Sequence, residues 1–147
     1  MKNMAILIDT NVVLDFLLDR APFSENADKI FQHCVSGTIV GYIACHSLLN
    51  AFYVSRKERS VDERKRFLIM LCERFCIIGL ESDRVLSALK NACWDDLEDG
   101  LQMQCAADEG LDYIITRDWK GFRSSEVQAI SPDDFLKLVE WNKPDET

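Results

Sequence analysis

Met4-Ala-Ile-Leu-Ile8 is an unbroken apolar run that stops at Asp9-Thr-Asn11. A strand with one wet face alternates apolar and polar residues, and a strand covered on both faces does not, so this run reads as the central strand of a parallel sheet. Val12-Val-Leu-Asp-Phe-Leu-Leu18 follows at once as a helical pattern. Asp9 therefore stands at the carboxyl end of the strand, the edge at which open parallel sheets build their sites.

The same strand-and-helix alternation continues outward. Pro22 and Ser24 precede a helical pattern through Ala27, Ile30, Phe31 and Cys34 to Gly37, and Thr38 to Ala44 reads as the second strand. His46 to Lys57 carries Leu48, Leu49, Phe52 and Tyr53 at helical spacing. Ser60 and Glu63 form a capping box for a helix through Phe67, Leu68, Leu71 and Phe75, and Cys76 to Leu80 is the third strand. Ser82 or Asp83 starts a helix bearing Val85, Leu86 and Leu89; Asp95 or Asp96 starts the next, bearing Leu97, Leu101 and Cys105 and ending at Gly110. Tyr113 to Thr116 and Val127 to Ile130 are the fourth and fifth strands, and Ser131-Pro132 opens a last helix through Phe135, Leu138 and Trp141. The pattern predicts an α/β fold in three layers, α/β/α, with a mainly parallel sheet, one domain over residues 1–141 and a flexible tail over 142–147.

Composition narrows the class. The 147 residues are 48% hydrophobic with 6 Gly and 3 Pro, enough apolar material for a core and unlike a disordered or fibrous chain. No apolar run approaches the roughly 20 residues of a membrane span. Met1-Lys2-Asn3 leads straight into a run that Asp9 ends, which leaves no room for a signal peptide, so the expected location is the cytoplasm. The six cysteines sit among apolar residues with no Cys-x-x-Cys pair and read as buried free thiols rather than disulfides or a zinc site. His33 and His46 fall on helix flanks, where a structural role is expected.

Charge is unevenly shared. Of 17 basic and 25 acidic residues, net charge −8, residues 1–67 hold nine basic and eight acidic, and residues 68–147 hold eight and seventeen. Asp95, Asp96, Glu98, Asp99, Asp108, Glu109 and Asp112 occur with no Lys or Arg among them. Such a field repels phosphate unless a cation intervenes.

Asp9, Asp96 with Asp99, and Asp118 all fall at the carboxyl edge of the predicted sheet. Singly, each has a local explanation: a turn, an N-cap, a helix-dipole partner, a bend at Thr116-Arg-Asp118. Together they are like charges gathered at one edge, which a hard cation would reconcile, and an all-oxygen donor set selects magnesium or manganese.

Ile6-Leu-Ile-Asp-Thr-Asn-Val-Val-Leu-Asp15 resembles the opening motif of the PIN-domain family of metal-dependent ribonucleases. Asp96-Leu-Glu-Asp-Gly-Leu-Gln102 is similar to the family's third acidic motif, and Tyr113-Ile-Ile-Thr-Arg-Asp-Trp-Lys-Gly-Phe122 to its closing strand and fourth motif. The resemblance spans about residues 4–140. It implies a five-stranded parallel sheet in the order 3-2-1-4-5, with Asp9, Asp99 and Asp118 as catalytic, metal-binding acids and Asp96 as an extra ligand or a supporting carboxylate. Thr10, Asn11 and Thr116 would orient those acids by hydrogen bonds. The implied reaction is magnesium- or manganese-dependent hydrolysis of RNA leaving a 5′-phosphate and a 3′-hydroxyl. Small bacterial members resemble the toxin half of a toxin-antitoxin pair, which implies an antitoxin partner, and the family often forms homodimers.

One departure stands out. The family usually carries a Glu in the helix after the second strand, where Ser47-Leu-Leu-Asn-Ala-Phe-Tyr53 offers Asn50, an amide that supplies a neutral oxygen and removes one negative charge. RNA contacts are expected from Arg56 and Lys57, in a stretch where six basic residues face three acidic ones, and from Arg117 and Lys120 just after the fourth strand. The basic stretch also reads as a solvated helix pair with internal ion pairs. Of Phe52, Tyr53, Trp94, Trp119 and Phe122, most read as core, with Trp119 and Phe122 the better candidates for exposure and base stacking.

Three function classes follow: a PIN-like endoribonuclease; a PIN-fold binding module weakened at Asn50; and an acidic phosphotransferase of the haloacid dehalogenase type. The last needs an Asp-x-Asp pair where this chain has Asp9-Thr-Asn11. No Gly-rich nucleotide loop is present.

Overall fold

A computed structural model describes residues 3–91 and 93–141. The expected tail, 142–147, lies outside the described residues. In chain order the elements are β1 (Ala5–Ile8), α1 (Thr10–Leu17), α2 (Ser24–Val35), β2 (Val40–Ala44), α3 (Cys45–Val54), α4 (Val61–Arg74), β3 (Cys76–Ile78), α5 (Ser82–Lys90), α6 (Leu97–Asp108), β4 (Tyr113–Ile115), β5 (Ala129–Ile130) and α7 (Pro132–Trp141). Single turns of 3-10 helix cover Ser55–Lys57 and Trp119–Phe122.

All four strand pairings are parallel and the order is β3-β2-β1-β4-β5. β1 is central as its sequence requires. Ile6 and Ile8 pack with Val12, Ile30, Phe31, Leu71 and Phe135 on one face, while Leu7 packs with Met103, Ala106, Ile114 and Phe122 on the other. The Ile6, Leu7 and Ile8 side chains of β1 are inaccessible to solvent, which explains the absence of alternation. Helices on both faces complete the three layers.

Side-chain caps set three of the helix starts among the described residues. Ser60 accepts from the Glu63 N–H at 3.1 Å while Glu63 accepts from the Ser60 N–H at 3.3 Å, the reciprocal box expected for α4. Asp96, rather than Asp95, caps α6 by accepting from the Asp99 N–H at 3.2 Å. Ser131 accepts from Asp134 at the start of α7. Strands are shorter than predicted where turns capture the backbone: the Thr38 and Ile39 N–H groups both donate to the His33 carbonyl, so β2 starts at Val40.

The six cysteines are free, but they are not uniformly buried. Cys34 and Cys105 lie in the core, whereas Cys72 on α4, Cys76 at the start of the edge strand β3 and Cys93 in the loop between α5 and α6 are exposed. Among the described residues no helix is long and apolar enough to cross a membrane.

Candidate active site

Asp9 directly follows β1 and occupies the N-cap position of α1, yet its carboxylate makes no capping hydrogen bond. It is turned instead toward α6 and β4. Gln102 Nε2 donates to Asp9 Oδ1 at 2.9 Å and Thr116 Oγ1 donates to Asp9 Oδ2 at 2.9 Å. Thr116 Oγ1 also accepts from the Asp118 N–H at 3.0 Å, so one hydroxyl links the acid of β1 to the chain beyond β4. Asp9 is 4% exposed. Burial raises its pKa, and the hydrogen bonds from Gln102 and Thr116 work against that rise.

Five carboxylates, Asp9, Asp96, Glu98, Asp99 and Asp118, line one cleft of about 520 Å³ together with Thr10, Asn11, Arg20 and Asn50. The Asp99 carboxyl is pushed up to about 7, first by burial and then by the negative charges of Asp9, Asp96, Glu98 and Asp118. Gly121 keeps the space beside two of these acids open: a Cβ there would stand 2.9 Å from Asp99 Oδ2 and 3.5 Å from Asp118 Oδ2. A larger pocket of about 740 Å³, lined by Phe16, Phe31, Val35 and Met70, lies between α1, α2 and α4 and holds no such convergence.

The donor set suits a hard divalent cation: all oxygen, mutually repelling, and short of positive charge. Among the described residues no three His, Cys, Asp or Glu side chains are already gathered to hold an ion. Magnesium needs fewer, since it typically takes one or two carboxylates and keeps several waters.

Asn50 lines the cleft as expected. Thr10 Oγ1 lies 2.7 Å from both Glu98 Oε1 and Ser47 Oγ; it thus fixes Glu98 rather than one of the three predicted ligands. The Asn11 side chain stands exposed at the rim without a hydrogen bond to the acids, and its backbone carbonyl accepts from Arg20 Nη2 at 3.1 Å. Arg56 is stacked on the exposed Tyr53 ring, and Lys57 and Lys120 are exposed.

Two expectations change. Arg117 does not line the cleft: it forks onto the buried Asp15 at 2.7 and 3.1 Å and lies over the Phe23 ring. Phe122 is core, at 3% exposure, because the 3-10 turn rotates it inward and leaves Trp119 at 52%.

Sequence reasoning gave no role to Gln102, Glu98, Ser47, Asp15 or Arg20. Gln102 did leave a signal, since it lies three residues beyond Asp99 and shares its helix face. His46 Nε2 sits 3.2 Å from the Glu98 carbonyl, bridging α3 to the first turn of α6.

A family model described as PIN domain matches residues 5–120. The chain belongs to the PIN-domain family, which removes the haloacid dehalogenase alternative. No curated protein matches the sequence. Among solved structures, the DNA-bound VapBC of Salmonella typhimurium is similar at TM-score 0.66 and 13% identity, covering 88% of this chain and 98% of that one. A toxin-antitoxin complex from Klebsiella pneumoniae is similar at TM-score 0.64 and 20% identity, covering 86% and 97%. Mycobacterium tuberculosis VapC20, described as a sarcin-ricin loop cleaving toxin, is similar at TM-score 0.61 and 11% identity, covering 74% and 86%. At these identities the likeness establishes the shared fold.

Proposed function

We propose that this chain, a single PIN domain over 1–141, is a magnesium- or manganese-dependent endoribonuclease and the toxin of a toxin-antitoxin pair acting in the cytoplasm. The observation that carries the reading is the convergence of five carboxylates on one cleft, with Asp9 buried and the Asp99 carboxyl raised to about 7 by its neighbours. Asp9, Asp99 and Asp118 would hold the ion, with Asp96 in support. When bound, the ion supplies Lewis-acid chemistry at the scissile phosphate and activates water.

The chain's own residues do the rest. Gln102 and Thr116 hold Asp9 by both oxygens, and Thr116 ties it to the Asp118 backbone. Thr10 holds Glu98 against the same cleft. Arg56, Lys57 and Lys120 would meet RNA phosphates, and Trp119 a base. The exposed Leu49, Tyr53, Val61 and Ile69 of α3 and α4 offer apolar area to an antitoxin or a second copy of the chain.

The deciding experiment is cleavage of a pool of single-stranded and structured RNA with magnesium, manganese or chelator, beside the Asp9→Asn protein. Metal-dependent cutting lost in the variant is the expected result. Asn50 favours one second reading, because it brings a neutral amide into the cleft: no cutting by either protein, with no metal binding by calorimetry, would make the chain a PIN-fold binding module.

A further inference from the structure

Among the described residues lining the acidic cleft, Arg20 is the only cation. Its placement is built rather than incidental. Asp19, just past α1, adopts the left-handed conformation at φ 52, and the chain turns back so that the Arg20 N–H donates to the Asp15 carbonyl at 3.1 Å. That region is disfavoured for residues with a side chain, Asp being among the better tolerated.

The guanidinium is then pinned at two points. Arg20 Nε donates to Asp15 Oδ1 at 2.9 Å and Nη2 to the Asn11 carbonyl at 3.1 Å, while Nη1 has no hydrogen-bond partner among the described residues. Asp15 is 1% exposed and already neutralised by the two-point fork of Arg117. One carboxylate therefore faces two guanidinium groups, which leaves one positive charge in surplus, and Arg20 is the one of the pair that lines the cleft. Among the described residues no ion pair joins Arg20 to the acids of the cleft. A fixed guanidinium with a free edge and an unneutralised charge complements an oxyanion, and its planar fork suits phosphate.

We infer that Arg20 is a phosphate-binding residue at the mouth of the cleft, gripping a backbone phosphate of single-stranded RNA next to the one that is cut. The inference rests on the ribonuclease reading above. It also explains how a strongly acidic cleft holds a polyanion: Asp15 and Asn11 fix the cation beforehand, so little side-chain freedom is lost on binding.

The test uses the full chain, Arg20→Met and Arg20→Gln, the glutamine keeping a donor for Asp15. Affinity for a fluorescein-labelled single-stranded RNA of mixed sequence is read by anisotropy in chelator over a salt series, and KM and kcat in magnesium. Loss of the charge-assisted contact should raise Kd and KM about tenfold with kcat little changed. The slope of log affinity against log salt should fall by about 0.7, which a merely structural role would not produce. Unchanged KM and slope in a folded variant of a wild-type protein that binds and cuts RNA overturns the role of Arg20 alone. A wild-type protein that neither binds nor cuts RNA overturns the ribonuclease reading and this inference with it.

Discussion

Gln102 is fully buried and only half satisfied: Nε2 donates to Asp9, and Oε1 has no partner. A buried amide oxygen without a donor is destabilising, so the residue is not explained by stability. Its effect is to hold one oxygen of Asp9 in place. Gln102→Leu removes the donor and the orphan together at similar volume but leaves the buried Asp9 Oδ1 without its donor, so stability to urea should fall by about 1–3 kcal/mol. Magnesium affinity by calorimetry should fall roughly tenfold, the usual consequence of losing a partner behind a metal ligand. Undiminished affinity would mean that Thr116 alone positions Asp9.

Asp99 gives a prediction of opposite sense. Its folded-state pKa is about 7 against an ordinary 3.8, so the carboxyl favours the folded, metal-free protein below pH 4, and that contribution is lost as pH rises through 7. Asp99→Asn should therefore exceed wild type in stability at pH 8 by about 1 kcal/mol, discounted because solvent reaches the group. The two should converge near pH 4. Urea titrations in chelator at both pH values measure this, and a constant gap would show that Asp99 is not crowded by charge.

At the scale of elements, α6 carries three of the five cleft acids on its cap and first turn, and its approach to Trp94 sets where they stand. A Cβ on Gly100 would lie 2.6 Å from the Trp94 ring, which is itself anchored by Nε1 donating to the Ala88 carbonyl at 2.8 Å. Alanine is the better helix former by up to about 1 kcal/mol, but overpacking typically costs about 1–3 kcal/mol and should win. Gly100→Ala is thus expected to destabilise the fold and shift tryptophan fluorescence; a stabilised variant would show that the ring yields freely.

The same elements show what the sequence made legible. The central place of β1 and the parallel sheet follow from two-sided burial of Met4 to Ile8 and from helices between strands, the order 3-2-1-4-5 came only with the family resemblance, and the α4 and α6 caps follow from side chains three residues from their targets. Strand ends did not follow, because Thr38 and Ile39 are claimed by the His33 carbonyl. At the site, the positions of Asp9, Asp99 and Asp118 at one sheet edge were readable. Gln102 to Asp9 and Arg117 to Asp15 join residues 93 and 102 positions apart, pairings that no local pattern encodes. Phe122 misled because a short 3-10 turn, not spacing, decides which of its residues faces in.

For the whole molecule, the net charge of −8 and the acidic cleft make cation binding a matter of stability as well as chemistry. A ligand that binds only the folded state stabilises it by about 2.7 kcal/mol at a hundred times its Kd. Magnesium should therefore raise the melting temperature by several degrees. The shift should be larger at pH 8 than at pH 6, because an Asp99 carboxyl with a pKa of about 7 must lose its proton before it can bind. Screening alone also relieves crowded carboxylates, so potassium chloride at equal ionic strength is the necessary comparison. Specific ligation predicts a magnesium shift that potassium does not reproduce and that Asp9→Asn diminishes. Equal shifts from the two salts, in wild type and variant alike, would mean that the five carboxylates are merely screened, and the metal-dependent reading of the cleft would fall.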